Sequence, residues 1–257
     1  VAGISAIRLP IMATANAFPE LDSMASFRAA VPCESRAGGT IDRLCAIGHH
    51  RALARGGELR ADPSDDRLVF LAHGNAKLVA QSTPLKPGGP QLRPTTGANT
   101  HILAFHFPGE IVSLLRKADG DFRLVALSDL EIVIFRANQF LDIAQAEPAI
   151  LRSVLARSLQ ALHRSRTKMM RLGHKSAQQR IADFIVSMAE RVCGCTSGQC
   201  DFSLPMSRRD IGDSLGLTIE TVSRQFAELR EAGLIETEGR SFIKVTDLDS
   251  LALRRGV

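Results

Sequence analysis

Two short amphipathic segments that meet at a glycine, within Met206–Arg230, constrain the fold of this chain more than any other feature. Ser207 followed by Asp210 resembles a capping box that begins one helix, and Thr218 is a suitable N-cap for a second helix. Gly216 between the two segments permits a sharp turn. Two helices joined by such a turn predict a helix-turn-helix.

Apolar residues recur at helical spacing along this stretch, which predicts one packed face on each helix. The first helix and the turn contribute Ile211, Leu215 and Leu217, and the second helix contributes Ile219, Val222, Phe226 and Leu229. The predicted polar surface of the second helix comprises Glu220, Thr221, Ser223, Arg224 and Gln225. The major groove of DNA admits one helix, so polar side chains in the first turns of that helix can form hydrogen bonds with base edges.

The residues on either side complete a winged helix-turn-helix pattern. A hairpin is predicted from the strand, turn and strand Gly233–Thr237, Glu238–Arg240 and Ser241–Val245, and Asp201–Leu204 is a candidate third strand. Ser176 begins a predicted helix that runs to about Cys193, with a packed side formed by Ile181, Phe184, Ile185, Met188 and Val192. The alternative is an ordinary small helical domain with a hairpin, but the ordered set favours the winged form.

The N-terminal half predicts a small β-barrel or jelly roll, because short apolar runs alternate with Gly/Pro turns. Asp66–Ala72 and Ala76–Ala80, joined by His73–Asn75, have the pattern of a β-hairpin. Further predicted strands are His101–Phe107, Phe122–Ala126 and Leu130–Phe135. Residues 82–100 are predicted to be an exposed loop, and residues 1–30 a loosely ordered arm with at most a short helix.

A long helix is predicted from Pro148 to about Leu172, ending near Gly173. Its heptad-like seam consists of Leu151, Leu155, Leu162, Met169 and Leu172. Such a seam favours pairing with a second copy, although packing on the chain's own barrel is the alternative. The expected fold is therefore α+β with four parts: an arm (1–40), a β-roll (41–146), a dimerisation helix (147–173) and a winged helix-turn-helix domain (174–257).

Charge and composition narrow the function classes. The 257 residues carry a net charge of +5, and the surplus lies in residues 151–257, which hold 17 basic and 12 acidic side chains. A basic C-terminal part is typical of proteins that bind a polyanion. The absence of Trp and Tyr weighs against single-strand recognition by aromatic stacking. No apolar run approaches the ~18 residues of a membrane-spanning helix and no signal peptide pattern is evident, so we expect a cytoplasmic protein without membrane contact.

Residues 206–250 resemble the DNA-binding domain of the CRP/FNR family of bacterial transcription regulators, most closely its FNR/FixK branch. Met-Ser-Arg-Arg-Asp-Ile-Gly and Leu-Gly-Leu-Thr-Ile-Glu-Thr-Val-Ser-Arg carry the likeness, and the turns at Gly74–Leu78 and Phe107–Glu110 extend it more weakly to the β-roll. The resemblance implies a non-enzymatic homodimer that binds double-stranded DNA, activates through RNA polymerase and serves low-oxygen, nitrogen or redox metabolism.

The same resemblance implies roles for single residues. The form Glu-x-x-Ser-Arg, made by Glu220, Ser223 and Arg224, resembles the branch that reads TTGAT-type half-sites. Positions suited to phosphate contacts are occupied by Ser207, Arg208, Thr218 and Thr221. Phosphate contacts place a domain on DNA, whereas base contacts specify the sequence.

Two departures from the family pattern predict that the chain takes no cofactor. Cyclic-nucleotide binders pair a Gly-Glu turn with a downstream Arg-Ser; here Gly109-Glu110 is present, but the downstream stretch Asp119–Phe122 is acidic. Iron–sulfur members use four cysteines, three of them closely spaced near the N-terminus. The N-terminal half of this chain offers Cys33 and Cys45 alone.

Three thiols in eight residues, Cys193, Cys195 and Cys200, form a candidate redox switch. A zinc site would need a fourth ligand, and none is evident nearby, so the sequence assigns no metal. Two alternatives to the DNA-binding activator remain open: a redox- or metal-responsive protein that uses this loop, and a small-molecule sensor that uses its β-roll.

Overall fold

The computed structural model describes residues 19–32, 39–81, 100–116 and 121–255. Its N-terminal part is a β-roll whose strands are β1 His49–Leu53, β2 Glu58–Arg60, β3 Arg67–His73, β4 Ala76–Gln81, β5 Thr100–His106, β6 Ile111–Leu114, β7 Asp121–Ala126 and β8 Leu130–Arg136. These strands form two four-stranded antiparallel sheets with the orders β1-β8-β3-β6 and β2-β7-β4-β5. Buried aliphatic residues such as Leu71, Leu124 and Ile132 fill the space between the sheets.

The predicted hairpin between β3 and β4 is wrong. β3 pairs with β6 and β8, whereas β4 pairs with β5 and β7, so the chain passes from one sheet to the other at Gly74. Gly74 has a φ of 79°, and a Cβ at this position would collide with the backbone of Asp129. The glycine marks a close approach between two chain segments and not a hairpin turn. Most of the predicted 82–100 loop lies outside the described residues.

Three helices, α1 (Pro19–Ala30), α2 (Gly39–Ile47) and α3 (Ala137–Ala144), join the core on one side of the β1-β8-β3-β6 sheet. Phe27 of α1 is fully buried, and its ring centroid lies 4.9 Å from that of Phe135 and 5.3 Å from that of Phe70. The short helix allowed by the prediction is therefore present over residues 19–30, but this part of the arm is not loosely ordered, because aromatic packing fixes it to the sheet. Residues 1–18 lie outside the described part of the chain.

The predicted long helix is α4 (Pro148–His174), and it continues through Gly173 instead of breaking there. After it, the capping box of Ser176 begins α5 (Ala177–Met188), which extends as one π-helical turn, Ala189–Cys193. Val192 is exposed, contrary to its predicted place on the packed side, because the wider π turn changes the helical periodicity.

The C-terminal part confirms the winged helix-turn-helix. It consists of β9 (Cys200–Ser203), α6 (Arg208–Leu215), α7 (Ile219–Glu231), β10 (Ile235–Glu238), β11 (Phe242–Val245) and α8 (Leu248–Leu253), with strand order β10-β11-β9. The capping box of Ser207 and Asp210 begins α6, and Gly216, with a φ of 66°, ends it. No helix among the described residues is both long enough and apolar enough to cross a membrane.

One hydrophobic cluster joins the two domains. It includes Val79, Ile102, Phe105 and Phe107 of the β-roll together with the buried side of α5, and the ring centroids of Phe105 and Phe184 lie 6.1 Å apart. Polar contacts surround this cluster: Lys77 Nζ donates to Asp210 Oδ1 (2.6 Å), and Lys168 Nζ of α4 donates to the carbonyl of Ile102 (2.8 Å).

A further polar contact links the π-helical turn after α5 to the β-roll through Glu110. Arg191 donates to Glu110 Oε1 (2.8 Å) and lies over the ring of Phe107, while His106 Nδ1 lies 2.9 Å from Glu110 Oε2. Burial alone would raise the pKa of Glu110, but the hydrogen bond with His106 and the charge of Arg191 hold it at about 2. Glu110 is therefore ionised, and each of its two carboxylate oxygens already has a partner within the same chain.

We expect Glu110→Gln to lower the free energy of unfolding near neutral pH by on the order of 3 kcal/mol. Because the pKa of Glu110 is about 2 in the folded chain against an ordinary 4.5, its contribution is present above the ordinary value and is lost as the pH falls toward 2. The difference between wild type and variant should therefore shrink across that window in urea unfolding at a series of pH values.

Glu236→Gln is the matched control, because this carboxylate is exposed and its ion pair with Lys244 (3.1 Å) is worth less than about 1 kcal/mol. A Glu110→Gln deficit that stays constant from neutral pH to pH 3 would contradict the assignment.

Candidate nucleic-acid interface

The first turns of α7 present the three predicted base-reading side chains together. Glu220, Ser223 and Arg224 are all exposed, while Val222, Phe226 and Leu229 form the opposite, buried face. Thr218 caps this helix by accepting a hydrogen bond from the backbone N–H of Thr221 (3.2 Å). Leu217 is half-buried and Ile219 is exposed, so the apolar spacing overestimates how much of this helix start is packed.

Each of the three side chains keeps bonding capacity for an outside partner. Hydrogen bonding to its own backbone N–H and to Thr218 lowers the pKa of Glu220, so it is a carboxylate and can accept from a base amine. Ser223 Oγ donates to the carbonyl of Ile219 (2.8 Å), which leaves its lone pairs free to accept. Arg224 Nε lies 3.8 Å from Glu228 Oε1 in an exposed pair that costs little to break.

Gln225 is buried, which corrects its predicted place on the polar surface. Its Nε2 donates to Glu228 Oε2 (2.9 Å). Gln225 lies three residues after Val222 and four before Leu229, so helical spacing places it on the packed face despite its amide. The periodicity, rather than the residue type, carried the correct signal.

The predicted phosphate-contacting hydroxyls lie at the start of α6 and α7, where free backbone N–H groups favour anions. Ser207 Oγ accepts from the backbone N–H of Asp210 (3.1 Å) and donates to its carboxylate (2.7 Å). Thr218 Oγ1 lies 3.1 Å from Thr221 Oγ1, so these two hydroxyls form one polar edge. All three residues remain candidates for phosphate contact.

Arg208 is placed differently from the expected phosphate contact. Its guanidinium lies 3.3 Å from the centroid of the Phe226 ring, and Nη1 is buried without a hydrogen-bond partner among the described residues. Burial lowers its pKa to about 10, and the charge of Arg230 acts in the same direction. The neighbouring Arg209 is exposed, and its charge helps to lower the pKa of Glu220, which places it near the base-reading face.

We expect Arg208→Ala and Arg209→Ala to separate packing from phosphate binding. Arg208→Ala removes the contact with Phe226 and should lower the free energy of unfolding by about 2 kcal/mol, with the salt dependence of DNA binding unchanged. Arg209→Ala should leave stability unchanged and reduce the salt slope by about one for each half-site. Urea unfolding measures the stability, and DNA titrations at several salt concentrations measure the salt slope. If Arg208→Ala reduces the salt slope and Arg209→Ala does not, Arg208 is the phosphate contact.

The α4 seam leaves large apolar side chains in solvent. Leu155, Leu162 and Met169 of the predicted seam are 60%, 46% and 72% exposed, and Leu159 and Met170 widen the same exposed set. Leu151 packs against the hydrophobic core beneath α1 and α3, and the side chain of Leu172 lies outside the described residues. A row of this kind on a single chain is typical of an interface.

The three clustered cysteines meet where the π-helical turn is followed by β9. Cys193 is exposed, Cys195 is half-buried and Cys200 is buried, and their Sγ atoms all lie within 4.8 Å of one another. Cys45 is half-buried on α2, and Cys33 lies outside the described residues. The sequence showed these thiols to be close along the chain, and the fold brings them together in space.

Comparison with known proteins places this geometry in a family. Residues 179–254 match the model of the Crp-like helix-turn-helix domain. The chain is 32% identical over 197 residues to the transcriptional activator protein FnrL of Cereibacter sphaeroides, covering 75% of each chain. It is 33% identical over 134 residues to the nitrogen fixation regulation protein FixK of Bradyrhizobium diazoefficiens, covering 52% of this chain and 56% of the relative.

The fold is shared with a solved structure. FixK2 from Bradyrhizobium japonicum superposes with a TM-score of 0.65 at 24% identity, covering 82% of this chain and 98% of that one. The order of β-roll, long helix and winged domain is thus an established architecture.

Proposed function

Because this chain belongs to the CRP/FNR family of transcription regulators, within its FNR/FixK branch, we propose that it activates transcription as a homodimer bound to a pseudo-palindromic site with TTGAT-like half-sites. The observation that carries the proposal is the exposed set Glu220, Ser223 and Arg224 on the first turns of α7. These side chains offer a carboxylate acceptor for a cytosine amine, a hydroxyl oxygen that can accept and a bidentate donor for guanine.

The dimer is proposed to form along α4. Family members act as dimers, and the exposed Leu155, Leu162 and Met169 supply the apolar surface that a second copy would cover. An isologous contact about a twofold axis would present two α7 helices to half-sites of opposite orientation, about 34 Å apart. Ser207, Thr218, Thr221 and Arg209 would hold the flanking phosphates, and contact with RNA polymerase would follow from the family mode of action.

Glu110 bears on the alternative of a small-molecule sensor. It occupies the Gly-Glu turn that cyclic-nucleotide binders use, yet Arg191 and His106 already take both of its oxygens. A ligand at this turn would have to displace an ion pair between the domains. This supports a regulator that binds DNA without a cyclic nucleotide.

Selection of bound DNA from random sequence, with the reduced full chain and no added ligand, tests the function directly. The proposal predicts an inverted repeat of TTGAT-like half-sites spaced by one helical turn. Selection with Glu220→Ala should relax the preference at one position in each half-site. Enrichment of no motif, or of a single unrepeated motif, would contradict the proposed dimeric reader.

A further inference from the structure

We propose that Cys193, Cys195 and Cys200 form a three-thiolate site for a thiophilic divalent cation such as Zn²⁺, with its fourth coordination position open to solvent. The site goes beyond the proposed DNA-binding function and does not depend on it. The sequence assigned no metal because a fourth ligand was missing, but three convergent thiols and an open position suffice for a zinc centre of the open type. Soft thiolate ligands select zinc and similar ions over magnesium or calcium.

The sulfur positions are close to what such an ion requires. A tetrahedral centre with Zn–S bonds of about 2.3 Å separates its sulfurs by about 3.8 Å. The three Sγ atoms here all lie within 4.8 Å of one another, so a shift of no more than about 1 Å would complete the set. Among the described residues, no His, Asp, Glu or further Cys joins this group.

Backbone structure holds each of the three cysteines in place. Cys193 ends the π-helical turn, a feature that is frequent at functional sites. Gly194, with a φ of 71°, turns the chain so that the backbone N–H of Cys195 donates to the carbonyl of Ala189 (3.2 Å). Cys200 is fixed by its register opposite Val245 in the wing sheet.

The intervening loop is clamped to α8 on its other side. The backbone N–H of Leu248 donates to the carbonyl of Gly198 (2.7 Å), and the N–H of Gly198 donates to Asp249 Oδ2 (3.2 Å). Gly198 has a φ of 70°, which a residue with a Cβ rarely adopts. The loop is therefore ordered in the arrangement that the three thiols need, which lowers the entropic cost of binding an ion.

Metal binding to the cluster is coupled to release of the thiol protons, because the thiolate is the form that ligates the ion. Burial and the two neighbouring thiols raise the pKa of the Cys200 thiol, so this buried ligand loses its proton when an ion binds it. One divalent ion reacts with three thiols to give a complex of net charge −1, and three protons are released. The buried Cys200 anchors the ion from the inside, and the exposed Cys193 gives it a path from solvent.

Co²⁺ and Zn²⁺ titrations of the reduced, chelator-treated full chain test this site. We expect one Co²⁺ per chain, a near-ultraviolet sulfur-to-cobalt charge-transfer band, and displacement of that band by Zn²⁺. Cys193→Ser should weaken Co²⁺ binding by at least about tenfold, since even groups that only support a ligand cost that much. Its side chain is exposed, so this variant should fold normally, which circular dichroism verifies.

The Cys33→Ser/Cys45→Ser double variant is the matched control, because it keeps only the three clustered thiols. It should bind Co²⁺ with wild-type affinity and spectrum. Loss of the band in this control, or an unchanged band in a Cys193→Ser/Cys195→Ser/Cys200→Ser variant, would overturn the site. Absence of any thiolate-to-cobalt band in the fully reduced wild type would also overturn the site. Disulfide chemistry would then be the remaining hypothesis for these thiols.

Discussion

Leu162→Lys is expected to convert the proposed dimer to monomers and to reduce affinity for the full DNA site by about 100- to 10,000-fold. Two winged domains joined in a dimer bind the full site that much more tightly than one domain alone, because binding is bivalent. Leu162→Lys would bury two lysines at the α4 interface and so oppose dimerisation. Light scattering measures the mass, and fluorescence anisotropy on an inverted-repeat site measures the affinity. The side chain of Leu162 is 46% exposed in the single chain, so the substitution should not disturb the fold.

Leu115→Lys is the control for that experiment. Leu115 follows β6 and is 52% exposed, so the same chemical change is made away from α4. It should remain dimeric and bind DNA as the wild type does. A wild type that is monomeric at micromolar concentration, or a Leu162→Lys protein that stays dimeric, would contradict the role of the seam.

Arg224→Ala is expected to cost about 1–3 kcal/mol on the preferred site and to abolish the preference at one base pair of each half-site. Arg224 is exposed and forms a weak pair with Glu228, so the alanine variant should fold normally. Binding to a panel of single-base variants measures the loss site by site. Arg209→Ala, in contrast, should weaken all sequences alike.

If Arg224→Ala preserves the wild-type ranking of sites and loses affinity uniformly, Arg224 is a phosphate clamp and its assignment to base reading is wrong. Glu220→Ala in the same panel should change the ranking at a different base pair, because the Glu220 carboxylate accepts hydrogen bonds whereas the Arg224 guanidinium donates them.

Local patterns were sufficient to predict the winged helix-turn-helix. Its capping residues, the αL glycine at Gly216 and the apolar spacing of α7 act within a few residues of one another, so each leaves a signal in the sequence. The sheet partners of β3 and β4 leave no such signal, because both pair with strands that lie far away in the chain. The Gly-centred turn between two apolar runs has the sequence pattern of a hairpin, but in the structure it connects a strand of one sheet to a strand of the other.

The errors at individual side chains have a common physical cause. Gln225 was assigned by polarity, but it lies one helical turn from buried residues on the same face of α7, and it packs there. Phe27 was missed because α1 has no strong apolar period and is fixed by rings from β3 and β8. The convergence of the three thiols likewise depends on the π-helical turn, which sequence periodicity does not reveal.

The hydrophobic cluster that contains both Phe105 and Phe184 is shared by the β-roll and the winged domain. Separating them would expose both rings to water, and Lys77 and Arg191 would lose their partners across the same boundary. Each large buried apolar side chain is worth about 1.5–3 kcal/mol, so we expect the two domains to unfold in one transition. Any rearrangement that reorients α7 relative to the β-roll must therefore supply enough free energy to open this shared core.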